Sequence, residues 1–128
     1  MSDERTYPAG VPCWVDTEQP DVDAARDFYA SLFGWTFFDA IPADAPGTYL
    51  IASLDGATVA AIGPSQGDAP VEWNTYIAVD DADASAAAVR AAGGTIALDP
   101  VDAGPGGRLA ACVDPRGARF RLWQPRRR

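Results

Sequence analysis

The chain has 128 residues, 18 acidic against 10 basic, a net charge of −8, no histidine and, because every basic residue is arginine, no lysine. That length suits one domain able to bury about two-thirds of its unfolded surface, while the missing residues exclude His-dependent triads, His-ligated metals, Schiff bases and a Walker phosphate loop. The acidic balance disfavours nucleic acid and anionic membrane surfaces, no apolar run approaches a membrane span, and the opening Met-Ser-Asp-Glu-Arg lacks the apolar core of a secretory leader, so the expected location is cytoplasmic.

In chain order, residues 1 to about 9 carry no element and are expected to be mobile. Residues 11–17 alternate, with Val11, Cys13, Val15 and Thr17 on one face and Trp14, Asp16 and Glu18 on the other, the pattern of a half-buried strand. Asp21 is placed to cap a helix running to about Phe33, with Ala25, Phe28, Tyr29, Leu32 and Phe33 at three- and four-residue spacing, and Gly34 stops it. Strands follow at 35–38, 49–54 and 57–62, with turns at Pro46-Gly47 and Asp55-Gly56. The 64–70 run has linker composition. A strand at 73–79 then precedes a cap at Asp80 or Asp81, an Ala-rich helix from about 83 to 92, Gly93-Gly94, and strands near 95–98, 108–113 and 118–123. The Gly-Pro-Gly-Gly run at 104–107 lacks a lysine and opens no helix, so it reads as a strand connection. Arg126, Arg127 and Arg128 read as a solvated tail.

The two halves are one unit written twice. A shift of 59 residues lays Trp14 on Trp73, Asp21 on Asp80, Gly34 on Gly93, Thr36 on Thr95, Leu50 on Leu109 and Asp55 on Asp114. After Asp114 the second copy carries two extra residues, and at offset 61 Gly56 meets Gly117 and Pro64 meets Pro125. The predicted fold class is therefore α+β, with two β-α-β-β-β modules at about 10–63 and 71–125 inside a single 1–128 domain.

Three segments carry a family resemblance. They are 23–35 (Asp-Ala-Ala-Arg-Asp-Phe-Tyr-Ala-Ser-Leu-Phe-Gly-Trp), 79–84 (Val-Asp-Asp-Ala-Asp-Ala) and 113–122 (Val-Asp-Pro-Arg-Gly-Ala-Arg-Phe-Arg-Leu). In this order on a repeat they resemble the vicinal oxygen chelate superfamily of glyoxalase I, bleomycin-resistance proteins and extradiol dioxygenases. The resemblance implies a cup-shaped, partly closed, eight-stranded mixed sheet with its site on the concave face, often in a homodimer. Metal-using members place His on the first strand of each module and Glu on the last. Here those columns fall on Trp14 or Val15, Asn74, Ala60 and Arg121, so the expectation is no metal and no cofactor.

The same alternation suggests what lines the cup: Trp14, Asp16, Asn74, Tyr76, Arg119, Arg121 and Trp123, with Phe38 and Tyr49 from the middle strands. Aromatic walls with a few polar groups suit an aromatic or cationic small molecule; the alternative is that these rings fill the barrel. Arg121 can clamp a ligand carboxylate or phenolate, or pair internally with Asp16 or Glu18. Those carboxylates can also serve as acid and base, or as ligands of a metal bound off the family pattern. The reading is a metal-independent small-molecule binder of the bleomycin-resistance type; the alternative is a lyase, isomerase or dioxygenase-type enzyme with a non-standard site. A third is an accessory domain docking a protein partner. Cys13 and Cys112 are expected as reduced core residues, not as nucleophiles or a disulfide.

Overall fold

A computed structural model describes residues 7–126. Its elements run β1 (Pro12–Gln19), α1 (Val22–Phe33), β2 (Thr36–Asp39), β3 (Leu50–Leu54), β4 (Ala57–Pro64), β5 (Trp73–Ala78), α2 (Ala82–Ala91), β6 (Thr95–Asp102), β7 (Gly107–Val113) and β8 (Arg119–Pro125). The β-α-β-β-β order is thus present twice. The strands hydrogen-bond in the order β2-β3-β4-β1-β5-β8-β7-β6, a mixed eight-stranded sheet. None of the helices among the described residues is long and apolar enough to cross a membrane.

Two compact units divide the chain. Val15–Trp73 is one, and Asn74 onward groups with the chain up to Trp14 as the other. This boundary differs from the modules read off the sequence, because Gly10 donates to the Ala78 carbonyl at 2.8 Å and Ala78 donates back to Val11 at 2.9 Å. The start of the first copy is thereby held to the second.

In the Val15–Trp73 unit, Asp21 caps α1 by accepting the Ala24 N–H at 3.0 Å, and Gly34 ends it at φ 73°. β1 runs parallel to β4, with Asp16 beside Ala61 and Glu18 beside Gly63. β3 pairs Ile51 with Ala61, and β2 pairs Phe38 with Ile51. Neighbours in register project to one side, so Asp16, Ala61, Ile51 and Phe38 form a row across one face. The other face carries Ile62, Ala52 and Phe37 and meets α1, whose Tyr29 stacks on Trp35 at 5.6 Å, with Trp35 edge-on to Phe37.

In the other unit Asp81, rather than Asp80, caps α2 through the Ala84 N–H. The core beneath α2 is Ala110, Cys112 and Leu122, with Val79, Val89, Ile96 and Phe120 around it. β8 pairs Tyr76 with Arg121, β7 pairs Ala111 with Arg121, and β6 pairs Leu98 with Ala111. Tyr76, Arg121, Ala111 and Leu98 therefore make the matching row on the face away from the helix. β6 runs to Asp102, past the end near 98 expected from the sequence; as the last strand of the sheet order it tolerates Pro100.

Arg126 does not belong to a loose tail, since its N–H donates to the Gly106 carbonyl at 3.0 Å; Arg127 and Arg128 lie outside the described residues. So does most of the 1–9 segment expected to be mobile.

Candidate functional site

Strand phase decides which candidate residues share a face. In the Val15–Trp73 unit, Asp16 is 1% exposed, and Tyr49 donates its phenol proton to Asp16 Oδ2 at 2.8 Å. Tyr49 reaches it by lying over Gly63, where a Cβ would stand 3.3 Å from the ring. A buried carboxylate needs such a partner to offset its desolvation. Phe38 shares this face and is half-exposed, at 49%. Glu18 alternates with Asp16 onto the same side and is partly buried.

The approach to Tyr49 is held by Asp39. Its carboxylate accepts the N–H groups of Ile41 and Tyr49 and the hydroxyl of Thr48 at 2.6 Å. The Thr48 hydroxyl bond first, then the two backbone donors, keeps the Asp39 carboxyl below the usual carboxylate range.

In the other unit Arg121 donates Nη1–H to the Tyr76 phenol oxygen at 2.9 Å, with its guanidinium 5.6 Å from the ring centre. Tyr76 and Asn74 are buried and Arg121 is partly buried, whereas Arg119 is exposed. Trp14 is buried. Trp123 is buried as well, with its ring against Gly106 and Gly107, so packing accounts for it.

The nine predicted residues thus sort by role. Asp16 and Tyr49 are joined, and so are Tyr76 and Arg121; Phe38 and Arg119 are open to solvent, while Trp14, Asn74 and Trp123 are buried. The sequence match of Trp14 with Trp73 does not survive folding. Trp14 is buried and Trp73 is 39% exposed, and the residue in phase with Trp14 is Asn74. A structural offset of 60 also makes Ala61, not Ala60, the counterpart of Arg121. At the positions where the resemblance calls for metal ligands stand an indole, an amide, a methyl group and a guanidinium cation, and these do not fit a divalent cation. Among the described residues no three Cys, Asp or Glu side chains are grouped to hold one.

A separate cleft of about 210 Å³ is lined by Asp102, Gly107, Arg108, Gln124 and Arg126. Arg108 is bound there by both oxygens of Asp83 and by Asp102, and Gln124 Oε1 accepts the Ala82 N–H at 2.8 Å. Sequence reasoning missed this network, in which Asp83 and Arg108 lie 25 residues apart and Ala82 and Gln124 lie 42 apart. Cys13 is partly buried and Cys112 buried, both are free thiols, and burial pushes both thiol pKa values up, which suits packing rather than nucleophilic attack.

Residues 19–122 match the model of the Glyoxalase/Bleomycin resistance protein/Dioxygenase superfamily. The chain is 43% identical over 131 residues to "Putative glyoxylase CFP32" of Mycobacterium tuberculosis, covering 99% of this chain and 50% of that protein. It is 38% identical over 133 residues to "Anthracycline biosynthesis protein DnrV" of Streptomyces peucetius, covering 92% of this chain and 48% of that one. It therefore spans about half the length of the curated relatives it matches. Among solved structures, a variant of Streptomyces coelicolor methylmalonyl-CoA epimerase has a similar fold, with a TM-score of 0.65 at 18% identity over 94% of this chain and all of that one. The epimerase of Mycobacterium tuberculosis gives 0.61 at 15% identity over 98% and 95%.

Proposed function

The chain belongs to the Glyoxalase/Bleomycin resistance protein/Dioxygenase superfamily, and from that premise we propose that it is a metal-independent cytoplasmic binder of a small aromatic molecule, working as a homodimer. The observation that carries this reading is the Tyr76–Arg121 pair, a guanidinium and a phenol on the face away from the helix where the resemblance calls for a metal ligand. A guanidinium there attracts a ligand carboxylate, phenolate or carbonyl and repels a metal ion. In the Val15–Trp73 unit, Tyr49 and Phe38 offer ring surface of their own, and Asp16 acts as a positioning residue that fixes Tyr49. The names of the relatives at 37–38% identity, both anthracycline biosynthesis proteins, direct the first choice of ligand to aromatic natural products.

Titration calorimetry with an anthracycline and with simple aromatic acids and phenols tests the reading. Binding is expected, and Arg121→Ala should weaken it about tenfold or more while the fold is retained. Stoichiometric divalent metal in protein purified without chelator, or no binding by any of these probes, would overturn it.

One observation favours a second reading as a lyase or isomerase. A buried carboxylate bonded to a phenol, as in Asp16–Tyr49, is a pair able to move a proton. Under that reading Asp16→Asn abolishes turnover and leaves binding in place.

A further inference from the structure

The cleft beside Arg108 belongs to a different face from the Tyr76–Arg121 pair. Register sets Arg108 of β7 opposite Gln124 of β8 on one side and Asp102 of β6 on the other, so the three form a row. Arg108 is two residues from Ala110, and Gln124 two from Leu122, both of which lie in the core beneath α2. Side chains two apart share a face, so this row is on the helix side of the sheet and Arg121 is not. The row ends at the start of α2, where Arg108 reaches Asp83 and Gln124 reaches the Ala82 N–H.

The hydrogen-bond balance of the cleft is uneven. Of the five N–H groups of Arg108, Asp83 takes those on Nε and Nη2 and Asp102 takes one on Nη1, which leaves two. Gln124 spends its amide oxygen on Ala82 and keeps both amide hydrogens. None of these four hydrogens has an acceptor among the described residues. Against them stands one open acceptor, Oδ2 of the exposed Asp102. Arg126 adds a second guanidinium, its backbone N–H fixed on the Gly106 carbonyl. The repeat shows that the fold does not require this donor set. An offset of 60 lays Arg108 on Thr48, Gln124 on Pro64 and Arg126 on Gln66, so the first module builds the same corner without a guanidinium.

We infer that this cleft binds a small oxyanion, the carboxylate or phosphate group of a small molecule, at a site separate from the ligand face proposed above. Two oxygens of one anion meet the open N–H groups of Arg108 and the Gln124 amide, and Arg126 supplies charge from the rim. The cleft, at about 210 Å³, is smaller than the roughly 300–1,000 Å³ of a pocket for a drug-sized molecule, so its occupant is small. Asp83 and Asp102 act on Arg108 in two ways. They hold its guanidinium in one orientation, so little side-chain order is lost on binding. Their charge also keeps the affinity modest, on the order of 1 mM.

Nitrogen-15 NMR titration of the full chain tests this, with inorganic phosphate and succinate in separate arms and NaCl holding the ionic strength constant. Saturable shifts of the Gln124 side-chain amide and the Arg108 Nε–H are expected. The arm that saturates names the group, and saturation in both assigns any anion that offers two oxygens. Gln124→Glu keeps an oxygen for the Ala82 N–H but replaces the open amide donor with a carboxylate. It should weaken binding about tenfold or more and leave the circular dichroism spectrum unchanged. Arg126→Gln should weaken binding about fivefold. Arg116→Gln, the same change of charge in an exposed turn, should have no effect. No saturable shift in either arm up to about 20 mM, some twenty times the expected constant, overturns the inference. So does binding that Gln124→Glu leaves unchanged, or shifts centred on Arg121, which would place the anion on the other face.

Discussion

The two units solve one folding problem with different side chains on both of their faces. In the sheet rows away from the helices, Asp16 corresponds to Tyr76, Ala61 to Arg121, Ile51 to Ala111 and Phe38 to Leu98. The outer edge of each row is an apolar, half-exposed residue in both units. Toward the middle the chemistry diverges: one unit holds a carboxylate bonded by a phenol, the other a phenol bonded by a guanidinium. What the units share is what the module requires, namely an Asp cap, an alanine at the helix–sheet contact (Ala25 in one, Ala82 and Ala86 in the other) and a glycine in the αL region after each helix. Residues that differ at equivalent places are free of that requirement and are where function is to be sought.

The largest expected effect separates two glycines near the start of equivalent strands. A Cβ on Gly107 would fall against the Gln124 carbonyl oxygen and stand 2.9 Å from the Trp123 ring, whereas Gly47, at φ +93°, has only Ile41 within reach, at 3.5 Å. Gly107→Ala should therefore cost about 3 kcal/mol through backbone collision, and Gly47→Ala about 1 kcal/mol through its left-handed conformation alone. Urea unfolding of the two variants side by side checks the ranking. Equal losses would mean that the turn under Trp123 yields as readily as its counterpart.

A smaller effect distinguishes the helix caps. Asp21 holds the Ala24 N–H, and Asp81 holds the Ala84 N–H. In α2 the first N–H, that of Ala82, also has the Gln124 side chain as a partner. Asp21→Ala should cost about 1 kcal/mol and Asp81→Ala roughly half that, because Gln124 still anchors the first turn of α2. Thermal melts followed at 222 nm read the difference.

Much of this division was legible in the sequence. The repeat, the capping Asp residues and the Gly and Asp-Gly turns placed every helix and strand, because those signals are local. The alternation in β1 and β5 put Trp14 and Asp16 on one face and Asn74 and Tyr76 on another, and folding keeps both pairings. The identity of Trp14 with Trp73 misled by one residue, since identity is blind to strand phase and a one-residue slip exchanges the faces. The partners of Tyr49 and Arg108 were illegible, because Asp16 and Asp83 lie 33 and 25 residues away and only the register brings them near. The exposure of Phe28 and Leu32 was hidden too, as helical spacing marks an apolar stripe without saying what covers it.

The smallest effect concerns two aligned aspartates that turn the chain by different means. Asp55 adopts φ +52° ahead of Gly56, so the backbone itself makes the first hairpin. Asp114, with two more residues to bridge, instead accepts the N–H groups of Arg116 and Ala118 on one carboxylate oxygen. Those backbone bonds hold its carboxyl below the usual range, the Ala118 bond contributing most. A carboxyl depressed in the folded state releases its proton more readily there than in the unfolded chain. Its contribution is therefore present above about pH 4, the ordinary Asp value, and is lost as pH falls through the folded value. Urea midpoints measured at pH 7 and pH 3 should show a drop that Asp114→Asn makes shallower, since the amide keeps an acceptor oxygen and removes the titration. At pH 7, Asp114→Asn should lower the urea midpoint, whereas Asp55→Asn should leave it unchanged, as asparagine tolerates the left-handed region equally well. Equal midpoints for the two variants at pH 7 would mean that the turns are held alike, and the aligned aspartates would then share one role.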